Sequence, residues 1–79
     1  MSEITDKLQA IQLELSAMQN KHRDTTPQFW AFNLAWEAVR FAWYVCKGDE
    51  LGAREKLHHV KQALIRVGRF YPGERQPRQ

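Results

Sequence analysis

Seventy-nine residues allow one domain and exclude a second, at a size where a single core barely offsets chain entropy and association commonly makes up the difference. At 43% hydrophobic and 27% charged, the composition is that of a folded chain rather than a disordered one. The net charge of +3 divides as −1 over residues 1–24, +1 over 25–48, +1 over 49–68 and +2 over 69–79, so no strongly basic face emerges, and the single cysteine, Cys46, excludes an internal disulfide framework and a four-cysteine zinc site.

The first expected element is an amphipathic helix from about Ser2 to His22, with Ser2 or Thr5 as caps. Ile4, Leu8, Ile11, Leu15 and Met18 recur at alternating spacings of four and three, a narrow seam of the coiled-coil kind. The opening MSEITDKLQAIQ is polar and lacks a basic region followed by an apolar one, so no secretory signal is read in it and a cytoplasmic location is expected. The run HRDTTP breaks the pattern, and Thr26 followed by Pro27 is a cap and first-turn pair that opens a second helix.

That second helix, PQFWAFNLAWEAVRFAWYVCKG, holds all three tryptophans and three of the four phenylalanines. At about 100° per residue, Ala31, Ala35, Ala38 and Ala42 form a smooth stripe flanked by two bulky ridges. One ridge is Trp30, Leu34, Phe41 and Val45; the other is Phe32, Trp36, Val39 and Trp43. A thin polar line of Asn33, Glu37, Arg40, Tyr44 and Lys47 is left for water. Charges at mid-segment argue against a membrane span, each costing roughly 2.5–3.5 kcal/mol at a bilayer centre.

Gly48 is the expected left-handed stop of this helix and Asp49 the cap of the next, so CKGDE joins two antiparallel helices in a tight turn. The third helix, about Glu50 to Val67, shows Ala53, Leu57, Val60, Leu64 and Val67 at the same four–three spacing, with the rest of its surface polar and Gly52 a mild weakness near its start. Pro72-Gly73 signals a turn, Phe70 and Tyr71 are candidates to dock on the helices, and residues 69–79 read as a basic, partly disordered tail after a single helical domain over 1–68. The expected fold is therefore all-α, an amphipathic helix followed by a long helical hairpin. Its middle helix has three contact surfaces and only two neighbours, so the alanine stripe, Ala31, Ala35, Ala38 and Ala42, is expected to pack against a second copy in a homodimer.

Chemistry is harder to find. Glu55 and His58 match a Glu-x-x-His spacing, but one copy on a solvated helix is a weak metal signal, and Glu37 pairs more simply with Arg40 at i,i+3. His58 and His59 point about 100° apart and do not chelate together. Cys46 lies on the apolar arc, where a cysteine packs as an inert small hydrophobe. With no phosphate loop and no nucleophile elbow, the chain reads as a non-enzyme without cofactor or metal. Binding is the better reading: aromatic hot-spot residues Trp30, Trp36, Phe41 and Trp43, with Arg40, Tyr44 and Lys47 at the rim, form a candidate surface for a protein partner. The alternative is a dimeric nucleic-acid accessory using Arg54, Lys56, Lys61, Arg66 and Arg69, although no helix-turn-helix pattern accompanies them. No membrane partner is expected.

Lys7-Leu8-Gln9-Ala10-Ile11-Gln12-Leu13-Glu14-Leu15 followed by Gln19-Asn20-Lys21 is similar to the opening of phage single-strand annealing proteins of the Erf family, over about a fifth of the chain. The family's Gly-Lys-Tyr-x-Tyr-Arg segment is missing, so the resemblance implies a phage or mobile-element origin and not annealing activity. Small helical proteins of that origin act as stoichiometric modulators of the anti-CRISPR, antirestriction or anti-regulator kind, and by analogy of size and architecture this chain is expected to inhibit or modulate a host protein.

Overall fold

In a computed structural model, which describes residues 3–74, the chain forms three α-helices: α1 (Glu3–Gln19), α2 (Pro27–Lys47) and α3 (Glu50–Gly68), followed by a 3-10 turn at Pro72–Glu74. No strand occurs among the described residues. The stops and starts follow local chemistry. Thr26, in extended backbone, accepts from Phe29 N–H at 3.4 Å through its hydroxyl and opens α2 with Pro27 in the first turn. Gly48 takes the left-handed conformation (φ 78°), and the N–H groups of Gly48 and Asp49 close onto Val45 and Tyr44 carbonyls at 3.1 Å. Asp49 then caps α3 by accepting from Gly52 N–H at 2.9 Å.

Two boundaries shift. α1 stops at Gln19 rather than His22, because Lys21 and His22 donate to carbonyls three residues back, at 3.2 and 3.1 Å, and tighten the end into a turn. Thr5 lies inside α1, and Ser2, the other candidate cap, falls outside the described residues, as do residues 75–79 of the expected tail. α3 runs one residue further than expected, to Gly68.

α2 lies between the other two helices, and α1 and α3 make no packed interface with each other. Antiparallel pairing of α2 with α3 is fixed by Tyr44 against Gly52, Glu37 against His59 and Trp30 against Arg66, three contacts stepping along the hairpin. On the other flank His22 stacks on Phe32 with centroids 5.8 Å apart. The result is an open layer. It measures 44 × 31 × 16 Å with a radius of gyration of 14.2 Å, against about 11.6 Å for a compact chain of this length.

An open layer leaves little inside. Among the described residues only Ala63 (1% exposed) and Lys56 (8%) are buried, and no large side chain is fully enclosed. This corrects the expected seam of α3: Leu57 and Leu64 are exposed, and the line that meets α2 runs through Lys56 and Ala63. Lys56 tolerates the position because its aliphatic stem packs while its ammonium reaches toward the Tyr44 ring, 5.8 Å away. The polar line of α2 is corrected as well, since Glu37 and Tyr44 point at α3 instead of water. No described helix is long and apolar enough to cross a membrane.

Candidate functional site

The α2–α3 seam is built around small and polar groups. A Cβ on Gly52 would stand 2.5 Å from Tyr44 Cδ1, so the missing side chain of Gly52 is the space in which the Tyr44 ring lies. One turn on, Lys56 approaches the same ring, and two turns on, Glu37 meets His59 with Oε1 and Nδ1 3.7 Å apart, within ion-pair reach and outside hydrogen-bond reach. Glu37 Oε1 has no hydrogen-bond partner, and its side chain is 14% exposed. The expected Glu37–Arg40 surface pair is thus replaced. Glu37 turns into the seam, and Arg40 stacks on Trp36, 4.6 Å from the ring centroid.

That stacking repeats. Lys47 lies 4.0 Å over Trp43, so an aromatic ring and a cation four residues later occur twice, one heptad apart, on the side of α2 away from the alanine stripe. Trp36, Arg40, Trp43 and Lys47 therefore form one row. The other candidate partner residues separate from it. Trp30 donates from Nε1 to the Asp24 carbonyl at 2.6 Å and carries Arg66 over its ring at 5.3 Å, closing the loop end of the layer. Tyr44 is held in the α3 seam, and Phe41 is half-buried about 130° from the row.

The alanine stripe is uncovered at Ala31 and Ala38, whereas Ala35 and Ala42, nearer α1, are half-buried. The basic candidates are dispersed: Arg54 pairs with Glu50 at 2.6 Å, Lys56 is buried, Lys61 is exposed on the outer edge, and only Arg66 and Arg69 converge, on a cleft shared with Asp24, Trp30 and Phe70. Cys46 corrects its expectation: it is exposed in the last turn of α2 rather than packed. Glu55 and His58 are both exposed, and no group of three or more His, Cys, Asp or Glu side chains stands close enough to hold a metal among the described residues. What sequence reasoning missed is the seam itself. Its one available signal is the phase match of Gly52, Lys56, His59 and Ala63 on α3.

The fold and site define a class, a single open layer of three helices with a polar seam and an aromatic–cation row. Compared with protein families, curated proteins and solved structures, the chain matches none. The resemblance of the first helix to phage annealing proteins thus rests on its own residues alone.

Proposed function

We propose that the protein acts by association and not by catalysis: a non-enzymatic module that pairs with itself through α2 and receives a partner protein on the opposite side of the layer. One observation carries the reading. Only Ala63 and Lys56 are buried among the described residues, while Ala31 and Ala38 of the central helix stand open. A helix apolar over most of its circumference needs cover, and α1 and α3 supply it on two flanks only.

The row Trp36, Arg40, Trp43 and Lys47 is the favoured surface for the partner protein, since Trp and Arg dominate interface hot spots and stacked cations hold these rings in place. Modulation or inhibition of a host protein, from a phage or mobile element, suits so small a chain without reactive machinery. A nucleic-acid role for Arg54, Lys56, Lys61, Arg66 and Arg69 has less support, because these cations do not share a face. Light scattering across concentrations tests the pairing, and a monomer at high micromolar concentration would refute it. For the partner surface, lysate capture is compared between the wild type and a Trp36→Ala, Trp43→Ala double variant. Retention of the same captured proteins by the double variant would remove that row from the proposal.

A further inference from the structure

Each helix of the layer carries apolar residues that packing within the chain leaves open, and their phases coincide. On α2, α3 lies along Trp30, Glu37 and Tyr44, and α1 lies on the side of Phe32. About a quarter turn from both lie Ala31, Ala38 and Val45, all exposed. On α3 the line facing α2 is marked by Lys56 and Ala63, and Leu57 and Leu64, both exposed, lie about 100° to one side of it. Antiparallel pairing turns that side toward the surface on which α2 shows Ala38 and Val45. A shallow cleft of about 240 Å3, lined by Val45, Gly48, Asp49, Glu50 and Ala53 at the turn of the hairpin, lies at the end of this surface.

The first helix completes the pattern. Its half-buried line, Leu8, Gln12, Leu15 and Gln19, faces α2, and Ile4, Ile11 and Met18 are exposed about 70° away. Running antiparallel to α2 on the opposite flank, α1 turns those three residues to the same surface as Ala38 and Leu64. The four–three seams of α1 and α3 thus face obliquely, half toward α2 and half out of the layer. Across α2 this surface carries no Asp, Glu, Lys or Arg.

We infer that a second copy of the chain covers this face, and that the two copies meet through all three helices as a two-layer, six-helix assembly. The inference rests on the self-association proposed above and extends its interface from the stripe of α2 to the whole layer. A second copy is the occupant for three reasons. The cover has to be present whenever the chain is folded, because no large side chain among the described residues is fully enclosed by the protomer itself, and only another copy is always available. The strip of α2 at the centre of the surface carries no charge and is nearly flat, because alanines replace larger residues there, so two such strips match each other. Finally, the broad face measures 44 × 31 Å, and covering about two-thirds of it exceeds the ~800 Å2 per partner of a standard interface.

Sedimentation of the full chain tests this. Leu64→Glu and Ile11→Glu sit at positions 57% and 40% exposed in the protomer and should weaken dimerisation at least about a hundredfold. Leu13→Glu and Ile65→Glu, at 67% and 57% exposed but pointing off this face, should stay within about threefold of wild type. Should the first pair lose helicity, Leu64→Ala and Ile11→Ala remove the contact without adding charge and should weaken it about tenfold each. A dimer disrupted by Ala38→Leu but unmoved by either substitution at Ile11 or Leu64 would overturn the whole-layer interface and leave pairing through α2 standing. Equal weakening by the off-face pair would overturn the assignment of the face, and a monomeric wild type would overturn this inference and the self-association together.

Discussion

Tyr44 and Gly52 show how a single residue sets the spacing of two helices. Glycine within a helix ordinarily costs about 1 kcal/mol relative to alanine, so propensity alone makes Gly52→Ala stabilising. The structure reverses that sign, because the added Cβ would lie 2.5 Å from Cδ1 and 2.8 Å from Cε1 of an aromatic ring with a lysine across it. Gly52→Ala is therefore expected to destabilise by about 1–2 kcal/mol, lowering the thermal midpoint by some 4–8 °C or more for a domain of this size; an increase in the midpoint would show that the ring moves freely. Glu37 makes the opposite case. Its carboxylate is largely enclosed and Oε1 has no hydrogen-bond partner, so it bears desolvation without full compensation. Glu37→Leu should leave stability unchanged or raise it by up to about 1 kcal/mol, since apolar replacements of imperfect buried ion pairs are commonly neutral or favourable. A loss above about 1 kcal/mol in denaturant titration would mean that His59 stabilises the carboxylate more than their 3.7 Å separation implies.

At the scale of the element, the two caps of the hairpin differ in strength. Asp49 accepts from Gly52 N–H at 2.9 Å and brings a negative charge to the N-terminus of α3, whereas Thr26 accepts from Phe29 N–H at 3.4 Å. Asp49→Ala should cost about 1–2 kcal/mol and Thr26→Ala about half of that, measured as midpoint shifts in urea; equal losses would show that the hydroxyl's second bond, to the Arg23 carbonyl at 2.8 Å, matters as much as the cap. These ends were legible in the sequence because Thr-Pro, Gly-Asp and the breaks in spacing act locally. The faces were legible only in part. A four–three seam fixes where apolar residues lie on a helix but not which neighbour meets them. In an open layer, Leu57 and Leu64 lean outward while Lys56, a charged residue next to the seam, meets α2. The same holds for Glu37 and Tyr44, polar by type and half-buried against α3 by position, and for Cys46, apolar by arc and exposed by its place in the last turn. In the proposed partner surface, the pairing of Trp36 with Arg40 and Trp43 with Lys47 is readable from i,i+4 spacing, whereas the withdrawal of Trp30 and Tyr44 into contacts with α3 depends on tertiary packing.

The whole molecule has an accessible surface of 5544 Å2, above the ~5000 Å2 expected of a folded monomer of 9.3 kDa. That excess and the 16 Å thickness express the same fact, that one layer of helices has two faces and encloses almost nothing. Under the proposed self-association, folding and pairing are a single equilibrium, and mass action makes stability depend on protein concentration. For a two-chain unit of about 158 residues, each tenfold rise in concentration should raise the thermal midpoint by about 4 °C, since ~1.4 kcal/mol is set against the unfolding entropy of both chains. Ionic strength should do little, because the face proposed to pair has no charges across α2 for salt to screen. A midpoint independent of concentration would mean that the single layer stands alone. One that follows concentration but falls steeply in salt would place charged groups in the contact, against an apolar face-to-face assembly.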